Sequence, residues 1–114
     1  MRIDTHAHYF PVPYLDKLQE YGSLDTPVAR NLGAGDEPGD IDNRLRMMDA
    51  AGVDMQVLST TPQLPTFENE AHAVDAARMA NDAYADLVRR HPDRFAAFAT
   101  TPLPHGEAAA AEVA

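Results

Sequence analysis

The chain of 114 residues has no cysteine, which removes disulfide staples, thiolate metal ligands and thiol redox chemistry together. Positive charge is scarce as well. Nine Lys and Arg stand against 18 Asp and Glu, giving a formal net charge of -9 and a pI near 4.7. Binding to nucleic acid needs a basic face, which this balance argues against, and no basic stripe points to an anionic lipid surface. The acidic residues are scattered and do not form a calcium loop. No apolar run approaches the length that crosses a membrane, and the opening Met1-Arg2-Ile3-Asp4-Thr5-His6 has no apolar signal region. A cytoplasmic protein is the expectation. With 45% hydrophobic residues, the chain can bury one modest core.

Periodicity divides the sequence into alternating elements. Met1 to Thr5, running into His6-Ala7-His8, reads as a strand and its end. Pro11 and Pro13 open a short helix with Tyr14, Leu15, Leu18 and Tyr21 on one side, closed by Gly22. Ser23 to Asp40 is rich in Gly, Asp and Pro, shows no period and is expected to be a long loop of the kind that often carries function. Asp40 is placed to cap a second helix, with Ile41, Leu45 and Met48 on one face and Gly52 at the left-handed stop. Val53 to Ser59 predicts a second strand. Thr66 to about His91 predicts the longest helix, its apolar seam formed by Val74, Ala77, Tyr84 and Val88 and interrupted by Asn81. Pro92 ends that helix, Phe95 to Thr100 predicts a third strand, and Glu107 to Ala114 opens another helix. This order predicts parallel strands joined by crossover helices. The last helix has no terminating cap, glycine or proline before Ala114, so the chain is expected to be one incomplete domain over 1–114.

The chemistry concentrates at the end of the first strand. Side chains two apart on a strand share a face, so Asp4, His6 and His8 are expected to point the same way. Two imidazoles at that spacing can converge on one cation, and imidazole suits zinc, iron, nickel and related metals. Asp4, one layer below, is placed to orient a ligand histidine through a carboxylate contact. A His-x-His pair taken alone reads equally well as two loop histidines. Its position after an N-terminal strand and before an α/β alternation favours the metal reading, since catalytic groups collect at the C-terminal ends of barrel strands.

Ile3-Asp4-Thr5-His6-Ala7-His8-Tyr9-Phe10-Pro11 resembles the opening of the amidohydrolase superfamily. Within it the chain is similar to the branch of aminocarboxymuconate-semialdehyde decarboxylase and related aromatic-acid decarboxylases. Two further stretches match: Arg46-Met47-Met48-Asp49-Ala50-Ala51-Gly52-Val53-Asp54 through Ser59-Thr60, and His91-Pro92-Asp93-Arg94-Phe95 through Pro102-Leu103-Pro104. The resemblance implies a (β/α)8 TIM barrel, which takes about 250 residues, so this chain would supply about the first three units. It implies a divalent metal, commonly zinc, held by His6 and His8, with a third histidine, an aspartate and a catalytic histidine from later strands. It implies a carboxy-lyase acting on a small carboxylated aromatic or muconate-like acid, from a parent protein expected to be a homo-oligomer. The alternatives are a metal-dependent hydrolase of an amide or lactone in the same superfamily, and a non-catalytic module that self-associates. In the decarboxylases an arginine from the first long loop binds a substrate carboxylate. Arg30 is the only basic residue of that loop here and is the candidate, against a plain surface reading.

Other residues take structural readings. His72 is expected to be exposed. His91, Arg89 and Arg90 suit the C-terminal dipole of the long helix. Tyr9, Phe10, Met47 and Met48 are assigned to packing, and His105 to a helix entry.

Overall fold

A computed structural model describes residues 1–114. Strand β1 spans Ile3–His8, β2 Met55–Ser59 and β3 Phe95–Ala97. The three strands form one parallel sheet in the order β1-β2-β3. Helices α1 (Val12–Glu20), α2 (Asp40–Ala51), α3 (Glu70–Arg90) and α4 (Gly106–Val113) complete the chain. The alternation required by the sequence is therefore present, in the strand–crossover–strand form of a partial barrel.

Each boundary has a local cause. Helix α2 stops because Gly52 takes a left-handed φ of 68°, and the Val53 amide then donates back to the Met48 carbonyl at 2.9 Å. That bond withdraws Val53 from strand pairing, so β2 begins at Met55, two residues later than the alternating pattern predicts. Asp40 is the first residue of α2 and not its cap. Gly39 occupies the cap position with φ 88°, while the Asp40 carboxylate accepts from the Glu37 amide. Helix α3 begins at Glu70, after the Thr66 expected from the pattern. Asn69 caps it by accepting from the His72 amide at 3.1 Å. Arg89 and Arg90 lie in its last turn, where the dipole favours cations, and both pair with Asp86.

The buried line of α3 is Ala73, Ala76, Ala77, Ala80, Tyr84 and Leu87. Val74 and Val88 flank it and are only partly buried, so the seam is displaced from the one read in the sequence. Alanines allow close approach, and Tyr14 and Leu18 of α1 pack directly on Ala76 and Ala80. The principal core lies between the sheet and α2 and α3. It contains Ala7, Tyr9, Met48, Leu58, Tyr84, Leu87 and Phe95. Met48 is sealed within it, whereas Met47, also assigned to packing, is 64% exposed.

Asn81 interrupts the seam for a reason visible only in three dimensions. Its side-chain oxygen accepts from the Thr100 amide at 2.8 Å and its Nδ2 donates to the Thr100 carbonyl at 2.9 Å. One amide side chain thus satisfies both backbone groups of Thr100, which holds the segment after β3 against α3. Strand β3 ends at Ala97, short of the Thr100 expected from the sequence, although the Phe98 amide still donates to the Leu58 carbonyl at 2.9 Å. The Ser23–Asp40 segment is not structureless. It contains a 3-10 turn at Thr26–Ala29, with Thr26 and Ala29 buried.

Candidate metal centre

His6 and His8 lie at the C-terminal end of β1, with His8 in register with Ser59 at the end of β2. Their rings meet edge to face, with centroids 5.1 Å apart and planes at 87°. The plane of His8 is set from its other side by Phe10, stacked at 5.7 Å and 8°. Phe10 is itself buried with Leu15 and Ala29. The loop that covers it comes so close that a Cβ on Gly35 would stand 2.6 Å from the Phe10 carbonyl oxygen, so that position excludes any side chain. Phe10 packs in the core, as the sequence predicts. Its further consequence is to fix the orientation of one candidate ligand.

The expected common face of Asp4, His6 and His8 does not form. Ile3 and Asp4 pair with Met55 and Gln56, but the register then shifts, and Ala7 pairs with Leu58. Between those pairings β1 uses one more residue than β2, which is a β-bulge. The bulge places Asp4 beside Gln56 on the helix side of the sheet, while His6 and His8 point to the opposite side. Asp4 touches no imidazole. Its Oδ1 accepts the His6 main-chain N–H at 3.0 Å, and its Oδ2 accepts from Gln56 Nε2 at 3.3 Å. Strand alternation is exact only without a bulge, and a bulge depends on the partner strand, so the sequence of β1 alone does not reveal it.

Two further residues grip this strand and carry no sequence signal of their own. Gln56 belongs to β2, and Arg44 lies on the half-buried face of α2, where it reads as one more helix cation. Arg44 Nη2 donates to the His8 carbonyl at 2.6 Å. Burial lowers its pKa from the ordinary arginine value. Tyr84, whose hydroxyl donates to the Tyr9 carbonyl, and Tyr14, whose hydroxyl donates to the Gln63 carbonyl at 2.6 Å, are both raised well above the usual tyrosine value by burial. They remain neutral donors.

The donor set fits a cation in part. His8 Nδ1 is buried and has no hydrogen-bond partner in the chain. A buried imidazole nitrogen left without a partner is costly, and an external group that meets the ring relieves that cost. His6 and His8 supply two imidazole ligands. No third His, Cys, Asp or Glu joins them, and a closed metal site needs more.

Arg30 is not brought to the pair. Its guanidinium forms an ion pair with Asp16 at 2.9 Å and donates to Gln19 Oε1 at 3.1 Å, both on α1. The cavity that it lines, about 80 Å³, is bounded by Phe10, Leu15, Leu32 and Asp40 and by neither histidine. The remaining histidines take structural roles. His105 stands at the entry of α4 with Nε2 2.8 Å from the Phe67 carbonyl oxygen. His91 caps α3. His72, expected to be exposed, is partly covered by Tyr21, stacked on it at 3.9 Å. No helix is long and apolar enough to cross a membrane.

Comparison with known proteins places this geometry in a family. A family model described as Amidohydrolase matches residues 3–114. A gamma-resorcylate decarboxylase of Rhizobium radiobacter is 41% identical over 109 residues, covering 84% of this chain and 33% of its own length. A 2-amino-3-carboxymuconate-6-semialdehyde decarboxylase of Dictyostelium discoideum is 28% identical over 129 residues, covering 99% of this chain and 36% of its own. The structure of a dihydroxybenzoic acid decarboxylase from Polaromonas sp. JS666 was determined with bound manganese and the inhibitor 2-nitroresorcinol. It superposes with a TM-score of 0.73 at 30% identity, over 98% of this chain and 33% of that one. The chain spans about a third of the length of the relatives it matches.

Proposed function

The chain belongs to the amidohydrolase family, and on that premise we propose that it is the N-terminal part of a metal-dependent carboxy-lyase acting on a small carboxylated aromatic or muconate-like acid. The observation that carries this reading is the His6–His8 pair. Two imidazoles stand side by side at the mouth end of β1, one with a buried nitrogen that nothing in the chain satisfies. The substrate class follows the names of the relatives, a resorcylate and a carboxymuconate semialdehyde decarboxylase.

In this reading His6 and His8 donate nitrogen lone pairs to a divalent cation, and later strands complete the ligand set. The cation supplies Lewis-acid polarisation when bound. Neutral imidazoles suit zinc, the metal that the resemblance implies. Manganese, present in the Polaromonas structure, is the competing metal. Phe10 keeps His8 in one orientation, and Asp4 acts on His6 through the main chain. Arg30 is the proposed contact for a substrate carboxylate. To serve, it must exchange the Asp16 carboxylate for that of the substrate, a like-for-like replacement for a two-pronged donor. The proposed setting is a cytoplasmic homo-oligomer. In its support, β1 and β3 are open sheet edges, and Ile3, Phe98 and Leu103 are each at least half exposed, surface that further strands or a second copy would cover.

The test is to incubate the intact metal-loaded protein with 2,6-dihydroxybenzoate and, separately, with a panel of amides and lactones. Carbon dioxide release and ester or amide cleavage are followed in parallel. Metal-dependent carbon dioxide release is expected. Turnover confined to amides or lactones would contradict decarboxylation and move the protein to the hydrolases.

A further inference from the structure

A half-buried cation sits behind the candidate ligands with no carboxylate in direct contact, those of Asp4 and Asp40 acting on it only from further off. Arg44 forms none of the ion pairs in the chain. Its guanidinium is instead spent on neutral acceptors. Nη2 donates to the His8 carbonyl at 2.6 Å and, more weakly, lies 3.5 Å from the Ala34 carbonyl, while Nη1 donates to Gln56 Oε1 at 3.0 Å. Withdrawing a charge from water without pairing it is unfavourable, and a straightforward core position would carry an apolar residue of similar size.

The partners of Arg44 form a sequence of contacts that ends on the other histidine. Gln56 accepts from Arg44 through Oε1 and donates through Nε2 to Asp4 Oδ2 at 3.3 Å, and Asp4 Oδ1 accepts the His6 amide at 3.0 Å. The bulge lies between Asp4 and Ala7, so the His6 amide falls in the stretch where ladder pairing is interrupted. The Asp4 carboxylate supplies the acceptor. The Ala34 carbonyl, touched by Arg44, also accepts the Phe10 amide at 2.8 Å. Helix α2, strand β2 and the loop before α2 therefore converge on the backbone of residues 4–10. The side chains of Arg44, Gln56 and Asp4 do so from the helix side of the sheet, away from the imidazoles.

We propose that Arg44, Gln56 and Asp4 form a positioning clamp that fixes the bulged backbone of β1, and with it the relative placement of the His6 and His8 rings, for metal binding. The clamp touches neither metal nor substrate. A planar guanidinium suits this position because its two nitrogens reach the His8 carbonyl and Gln56 at the same time, which a lysine ammonium cannot do with one geometry. The proposal rests on the metal reading above.

The decisive experiment is Mn²⁺ titration of the intact, metal-stripped protein, with free Mn²⁺ read by electron paramagnetic resonance and the thermal midpoint of the metal-free form recorded alongside. Arg44→Met and Gln56→Leu should each raise the Mn²⁺ Kd by about 10- to 100-fold, the range for residues that orient metal ligands. Arg44→Lys should recover only part of the affinity. Met48→Ala, an apolar loss on the same helix, should lower the thermal midpoint and leave the Kd unchanged. A merely structural Arg44 would behave as Met48 does. If Arg44→Met does not fold, Gln56→Leu decides alone, since it keeps the charge and cuts the contact. Unchanged Kd in Gln56→Leu and Arg44→Met, with binding lost in His8→Ala, overturns the clamp and leaves the metal reading intact. Unchanged Kd in His8→Ala overturns both.

Discussion

The two faces of β1 are built on different terms. On the helix side, Ala7 packs with Leu58, Phe95, Tyr84 and Leu87 into a sealed core. On the opposite side His6 is exposed and His8 keeps a buried nitrogen without a partner. One strand thus carries both the packing that makes the sheet and the side chains that make the candidate site, separated by the pleat. The bulge adds a third class of residue, because it moves Asp4 from the chemical face to the packing face. The lesson is that stability and metal binding should be separable by mutation on this strand, except at the clamp that links the two sides.

Phe95→Ala attacks the packing face most heavily. Truncating a fully buried phenylalanine should cost about 3–5 kcal/mol in the unfolding free energy of the intact protein. Chemical denaturation measures this, and the Mn²⁺ Kd of the folded fraction should stay at the wild-type value. A fall in affinity matching the fall in stability would show that the faces are not independent.

Asn81→Ala removes the side chain that satisfies both backbone groups of Thr100. Leaving them unpaired should cost about 1–3 kcal/mol, with faster amide exchange at Thr100 and no change at His6 or His8.

The buried tyrosines, Tyr84 in the principal core and Tyr14 in the contact of α1 with α3, give the packing a pH dependence. The folded-state values of Tyr14 and Tyr84 are raised above the ordinary 10.0 because burial disfavours the phenolate. Above pH 10 the unfolded chain loses these protons while the folded chain keeps them. The stabilisation is therefore complete below pH 10 and declines as the pH rises from there toward the folded-state values. Thermal melts from pH 8 to 12 should show this decline, and it should be shallower in Tyr84→Phe and Tyr14→Phe. An identical slope in both variants would contradict the assignment.

The smallest effect is expected at Asp16→Asn. The Asp16–Arg30 pair is on the surface, with Asp16 62% exposed, so its loss should change stability by about 0–1 kcal/mol. If Arg30 serves the substrate, the same change should lower KM by freeing it. An unchanged KM would leave Arg30 as a tether between the loop and α1.

Features with a local cause were legible in the sequence. The His6-Ala7-His8 spacing, the Gly52 stop and the alternation of strands and helices each depend on neighbours in the chain. Features set by a partner element were not. The bulge that turns Asp4 away arises from its register against Gln56 and Leu58, fifty residues later. Arg44 reads as a surface cation until α2 is laid against β1, and Asn81 reads as a flaw in a seam until Thr100 is beside it. Val53 satisfies the strand pattern perfectly, but its amide is consumed by the cap of α2.

The central claim is that His6 and His8 hold a divalent cation on a face of β1 that the core does not need. Metal content per protomer, measured on the intact protein and on His6→Ala and His8→Ala after identical purification, tests it most directly. Each variant should lose the metal, and turnover with it, while its thermal midpoint without metal stays close to that of the metal-stripped wild type, since neither ring belongs to the packed cluster. Full metal occupancy in either variant would contradict the claim.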